Sequence, residues 1–197
     1  MVMKCIKILQ HKVLGILSSV HSMISQYEIA TYIIEEINMK SHLVVIRCIG
    51  SRTIVKLTLE SLVTDRTIIN GLSAQQACMV GGYYGRLLRA SLEGREAFKK
   101  VKNMTFLLNN KGKRYIIAFQ NRNGNIGYYD KKTRQEFVEH PLSMVNHDYI
   151  IAGFDPSEAC YIGILAGINI EKAVSSGKEL NSVDSLLNKP PNLRIVK

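Results

Sequence analysis

The sequence predicts an α+β fold built from two tandem copies of one α-β-β-β-α unit. Three observations predict it. Residues 61–85 (SLVTDRTIINGLSAQQACMVGGYYG) and 143–167 (SMVNHDYIIAGFDPSEACYIGILAG) align without a gap at an offset of 82, with nine of 25 positions identical. Each copy follows three short strand-like runs. Each copy also carries a helix-start signal at the same position. Self-similarity at a fixed period marks a repeated supersecondary unit. Lobes of about 80 residues bury too little surface to be robust alone, so the two are expected to share a core. The expected division is a first lobe at 1–94, a second lobe at 95–180 and a polar tail at 181–197.

The first expected element is a helix over 4–25. Ile6, Leu9, Val13, Leu14, Ile16, Leu17, Val20, Met23 and Ile24 recur at three- and four-residue steps, the period of one helix face. Lys4, Lys7 and Lys12 precede or interrupt the short apolar run VLGILSSV, which favours an amphipathic helix packed on the first lobe over a signal peptide. A helix lying on a membrane surface is the alternative. No apolar run reaches the roughly 18 residues that span a bilayer.

Strands follow at 31–37 (TYIIEEI), 42–49 (HLVVIRCI) and 52–59 (RTIVKLTL), the last two joined at Gly50-Ser51. The second copy repeats the order at 113–120 (KRYIIAFQ), 125–130 (NIGYYD) and 134–140 (RQEFVEH). Each lobe thus offers an antiparallel three-stranded meander. The second is more polar and should keep one face wet.

After each meander comes Ile-Ile-x-Gly and then a helix. Ser73-Ala-Gln-Gln76 fits a capping box, and Asp155-Pro-Ser-Glu158 places a cap, a proline and an acid in the first turn. Gly81 and Gly85 recur as Gly163 and Gly167. Interior glycine costs a helix about 0.8–1 kcal/mol against alanine, so its repetition calls for a compensating close contact. The expected contact is a crossing of the two glycine-bearing helices about a pseudo-twofold axis. Packing of each glycine groove on its own sheet is the alternative. GGYYG (81–85) lacks the Lys-Ser/Thr of a phosphate loop. Residues 86–103 either continue the first repeat helix or break at Gly94 into another. A short helix near 181–188 and a loose end complete the chain.

Charge supplies the functional clue. The chain carries a formal net charge of +10. Residues 86–134 hold 13 Lys and Arg against Glu93, Glu96 and Asp130, so the whole excess lies there and the remainder is neutral. A regional basic block suits a polyanionic partner. The expected surface comprises Arg86, Arg89, Arg95, Lys99, Lys100 and Lys102 on helix, and Lys111, Lys113, Arg114 and Arg122 on the second sheet. Tyr128 and Tyr129 alternate faces on one strand, so one should stand outside as a stacking platform for bases.

Other chemistry finds little footing. The four cysteines form no CxxC pair and no histidine lies at zinc-finger spacing. Cys78 and Cys160 read as small buried side chains and fit the reduced state of a cytoplasmic protein. The five histidines are scattered, and no GxSxG, HExxH or Walker pattern occurs. The expectation is a cytoplasmic, non-catalytic protein, without metal or cofactor, whose basic segment contacts nucleic acid. The alternative is an adaptor, chaperone or assembly subunit that docks an acidic protein. An enzyme with a dispersed active site ranks third.

Overall fold

The structure is a computed structural model, and it describes residues 31–92, 94–104, 107–108, 113–176 and 194–196. The expected helices at 4–25 and near 181–188, together with Cys5, Phe106 and Lys111, lie outside these residues. The described elements run β1 (Tyr32–Asn38), β2 (Leu43–Cys48), β3 (Ile54–Thr58), α1 (Leu59–Thr64), α2 (Arg66–Asn70), α3 (Ala74–Ser91), α4 (Gly94–Lys102), β4 (Tyr115–Gln120), β5 (Ile126–Asp130), β6 (Gln135–Glu139), α5 (Pro141–Val145), α6 (Asp148–Ile151), α7 (Pro156–Ser175) and β7 (Arg194–Val196). The fold is α+β, with two antiparallel three-stranded meanders.

Local chemistry explains the boundaries. Thr58 caps α1, Asp65 caps α2 and Ser73 caps α3, each by accepting a backbone N–H in the next turn. Gln76 completes the box at Ser73. In the second half His140, through Nδ1, caps α5, and Asp155 caps α7 with Pro156 in its first turn. The helices α1, α2 and α3 begin at 59, 66 and 74; α5, α6 and α7 begin at 141, 148 and 156, each pair 82 apart. The short helices between meander and long helix were not foreseen: four to six residues are too few to show a helical period. The chain does break after Ser91, so α3 and α4 are separate helices.

The sheets match in detail. A register shift falls between Ile34 and Glu36 in β1, and another between Ile117 and Phe119 in β4. The Tyr32 amide donates to the Gly71 carbonyl, and the Tyr115 amide to the Gly153 carbonyl, both at 2.9 Å. Each tyrosine ring lies where a side chain on its glycine would project. Arg52 and Arg134, in the β2–β3 and β5–β6 turns, share a left-handed φ of 57° and 58°.

The two long helices form the centre. Along α3 and α7, methyl groups on Gly81 and Gly85 would run into the carbonyls of Cys160 and Ile164. Reciprocally, Gly163 and Gly167 face the carbonyls of Cys78 and Gly82. Backbone therefore meets backbone, a separation only glycine permits. From Pro156 to Ile168 every residue of α7 is buried, as expected of a helix apolar all round. The core continues into both sheets through Ile34, Ile37, Val44, Ile46, Ile117 and Ile126.

One element departs from the loose tail. β7 pairs in parallel with β1, placing Arg194, Ile195 and Val196 against Glu36, Ile37 and Asn38. The first sheet thereby gains a fourth strand, in the order β3-β2-β1-β7. A three-residue strand after Pro190-Pro191 leaves no periodic signal in the sequence.

Candidate polyanion interface

Helix α4 is the most strongly sided element of the basic segment. Ala97 and Val101 are buried, while Arg95, Lys99, Lys100 and Lys102 are exposed. Phe98 stands among these cations with 36% of its surface exposed. Lys100 is partly committed: its Nζ lies 2.7 Å from Glu60 Oε1, which also accepts from the Tyr84 hydroxyl at 3.3 Å. The Lys100 contact holds the Glu60 carboxyl below its ordinary range. Such an exposed pair contributes at most about 1 kcal/mol, so Lys100 remains recruitable by a stronger anion.

The other expected cations are distributed differently. Arg86 is half-buried on α3, and its Nε meets Glu171 Oε2 of α7 at 3.2 Å. It ties the two long helices together instead of facing outward. Arg89 is half-buried and reaches the Leu92 carbonyl at 3.5 Å. Arg114 forks onto Asp130, with Nη2 2.7 Å and Nε 3.1 Å from Oδ2. Its guanidinium also lies 4.9 Å from the centre of the Tyr115 ring. Asp130 further accepts the amides of Lys132 and Thr133. The Arg114 bond, then these amides, hold its carboxyl far below the ordinary carboxylate range despite its burial. Lys113 and Arg122 are exposed at opposite ends of β4. The arrangement does not bring the helical and sheet cations into one demonstrated cluster.

The tyrosine expectation resolves against Tyr128. It is only 3% exposed, in an aromatic cluster with Tyr115, Phe137 and Phe154 at centroid separations of 5.3–5.5 Å. Its hydroxyl donates to Glu139 Oε1 at 2.6 Å. Tyr128 is thus a core residue and cannot stack on a base. Tyr129, on the opposite face, is half-exposed. Sequence reasoning also passed over Phe98 and Phe119 as site residues. Phe119 is 46% exposed, with its ring laid over Gly127 on the neighbouring strand.

Other reactive groups are enclosed. Burial pushes the Cys78 thiol up to about 12 and the Cys160 thiol higher still, so both are protonated and unreactive at neutral pH. Glu158 is fully buried in the first turn of α7. Among the described residues its two carboxylate oxygens are the only buried side-chain polar atoms without a hydrogen-bond partner. Burial, then the Asp155 carboxylate, raise its pKa to about 7. Among the described residues no three His, Cys, Asp or Glu side chains gather as a metal site, and no helix is long and apolar enough to cross a membrane.

Comparison with protein families, with curated proteins and with solved structures finds no match.

Proposed function

We propose that the chain is a non-catalytic binding protein that docks a polyanion, nucleic acid first, on the exposed side of α4. One observation carries this reading: Arg95, Lys99 and Lys102 project beside the exposed ring of Phe98, while Ala97 and Val101 anchor the same helix to the core. Cations neutralise phosphates, and an aromatic face accepts an unpaired base. Arg86 and Arg114 serve mainly to hold the scaffold through Glu171 and Asp130. In this reading the two halves are a tandem duplication about a pseudo-twofold axis at the glycine crossing.

The test is charge reversal on α4. Lys99→Glu with Lys102→Glu should weaken binding of a single-stranded oligonucleotide by about tenfold or more and lower the salt slope by about two. Phe98→Ala should weaken it with the slope unchanged. Unaltered affinity in both variants would refute the reading.

A further inference from the structure

The chain has two equivalent sheet edges and covers only one of them among the described residues. The edge of β1 carries β7, paired at Glu36, Ile37 and Asn38. The matching register shifts and the matching tyrosine–glycine contacts place β4 83 residues after β1. Phe119, Gln120 and Asn121 therefore stand where Glu36, Ile37 and Asn38 stand in the first sheet. The order β4-β5-β6 leaves β4 at the margin. The start of α7 and its approach fill the first part of that margin: the Tyr115 amide is bonded to Gly153, and Tyr161 of α7 donates to the Gln120 side chain at 3.1 Å. Beyond Ile117 the strand is exposed at Ala118, Phe119 and Gln120.

Charge decides what fits there. The covered edge presents Glu36 of β1 and takes a strand that opens on Arg194, placed opposite Glu36, while the neighbouring Glu35 is paired with Arg47 of β2. The open edge inverts this. β4 itself is uncharged, and Arg122 follows its open end, while Arg114 at the other end is neutralised by Asp130. No Asp or Glu occurs from residue 97 to 129. Exposed edges are normally guarded by Lys, Pro, an inward charge or a bulge; Tyr115–Gln120 carries no charge or proline, and its register shift between Ile117 and Phe119 is shared with β1, whose edge pairs with β7 all the same. The chain's own basic terminal strand is mismatched to this edge.

We propose that the edge of β4 left open among the described residues accepts, as an added parallel strand, an extended acidic segment of a partner protein. Backbone pairing supplies the affinity in this mode, and alternate side chains supply specificity. A carboxylate would lie toward Arg122 at the open end, and an apolar residue would meet Phe119. This surface is separate from α4, so the inference stands apart from the polyanion reading.

The probe is a fluorescein-labelled ten-residue peptide of alternating Glu and Val, titrated into the full chain by fluorescence anisotropy. Three controls accompany it: a Lys-Val peptide, a Glu-Val peptide N-methylated at alternate residues, and a single-stranded oligonucleotide as competitor. Saturable binding is expected for Glu-Val, with a loss of about tenfold or more for each control peptide. Gln120→Pro should abolish it by blocking the edge, while Lys99→Glu with Lys102→Glu should leave it unchanged. Absence of Glu-Val binding, equal binding of the N-methylated peptide, or displacement by the oligonucleotide would overturn the proposal. The N-methylated control uses the unaltered protein and is decisive even where the proline variant fails to fold. Loss of oligonucleotide binding with peptide binding intact would count against the polyanion reading alone.

Discussion

Replacing Glu158 with Gln is expected to remove a pH dependence that the structure builds into the second lobe. The carboxyl is fully buried and lacks a hydrogen-bond partner. Burial and the neighbouring Asp155 carboxylate raise its pKa from the ordinary 4.5 to about 7; the Ile117 and Asp155 amides, which approach the carboxyl without reaching hydrogen-bond geometry, and the Lys131 charge pull the other way and are outweighed. The folded state therefore holds this proton more tightly than the unfolded chain. Both states are protonated below about 4.5, so pH has no effect through this group there. As pH rises from about 4.5 to about 7 the unfolded chain loses the proton first, and stability falls; above that it levels off. At about 1.4 kcal/mol per pH unit, a gap near 2.5 amounts to about 3 kcal/mol. Gln at this position has a precedent in the same fold. Gln76, 82 residues earlier, receives the Ser73 amide at 3.4 Å. The assay is urea unfolding followed by circular dichroism at steps from pH 4.5 to 8.5, on the wild type and on Glu158→Gln. The difference curve is the observable. His140, whose pKa burial lowers, contributes with the opposite sign and cancels between the two proteins. A difference that climbs by roughly 2–4 kcal/mol and then flattens is expected. Parallel curves would refute the reasoning.

Further outcomes follow from the same packing and charge arguments. Gly81→Ala and Gly163→Ala drive a methyl into the Cys160 and Cys78 carbonyls. Each should cost at least about 1–3 kcal/mol in thermal or urea unfolding, whereas Gly50→Ala, with open space around it, should cost far less. Asp130→Asn should lower stability at neutral pH and weaken the acid dependence. Its depressed pKa means a contribution present above the ordinary carboxylate range and lost as pH falls through the folded value; acid titration of both proteins checks this. Asp155→Ala removes the α7 cap and should cost about 1 kcal/mol, measured by the shift in urea midpoint.

Much of the fold was legible because its determinants are local. The Ser73 and Asp155 caps and the Ile-, Val- and Tyr-rich runs of β1, β2 and β4 act within one turn or one strand, and the glycines, although their partners lie on the other long helix, announce themselves by recurring in both copies. The offset of 82 then carried each reading from one half to the other. The parts that were not legible depend on distant partners. Arg86 looks like any surface arginine until α7 brings Glu171, 85 residues away, beside it. Arg114 and Asp130 are neighbours only because β4 pairs with β5. Alternation required that Tyr128 and Tyr129 face opposite ways, but only the position of Phe154 decides which one is inside. Glu158 reads as a favourable first-turn acid. Its burial comes from the packing of α7 in the centre of the molecule, for which the apolar character of that helix on all sides was the available signal.

The central claim is that the basic segment serves a polyanion. The most direct test is to purify the protein at high salt, record absorbance at 260 and 280 nm, and titrate labelled single- and double-stranded DNA and RNA at two salt concentrations. Binding that weakens steeply with salt and prefers single strands is the predicted result. No binding of any of the four even at low salt would contradict the account.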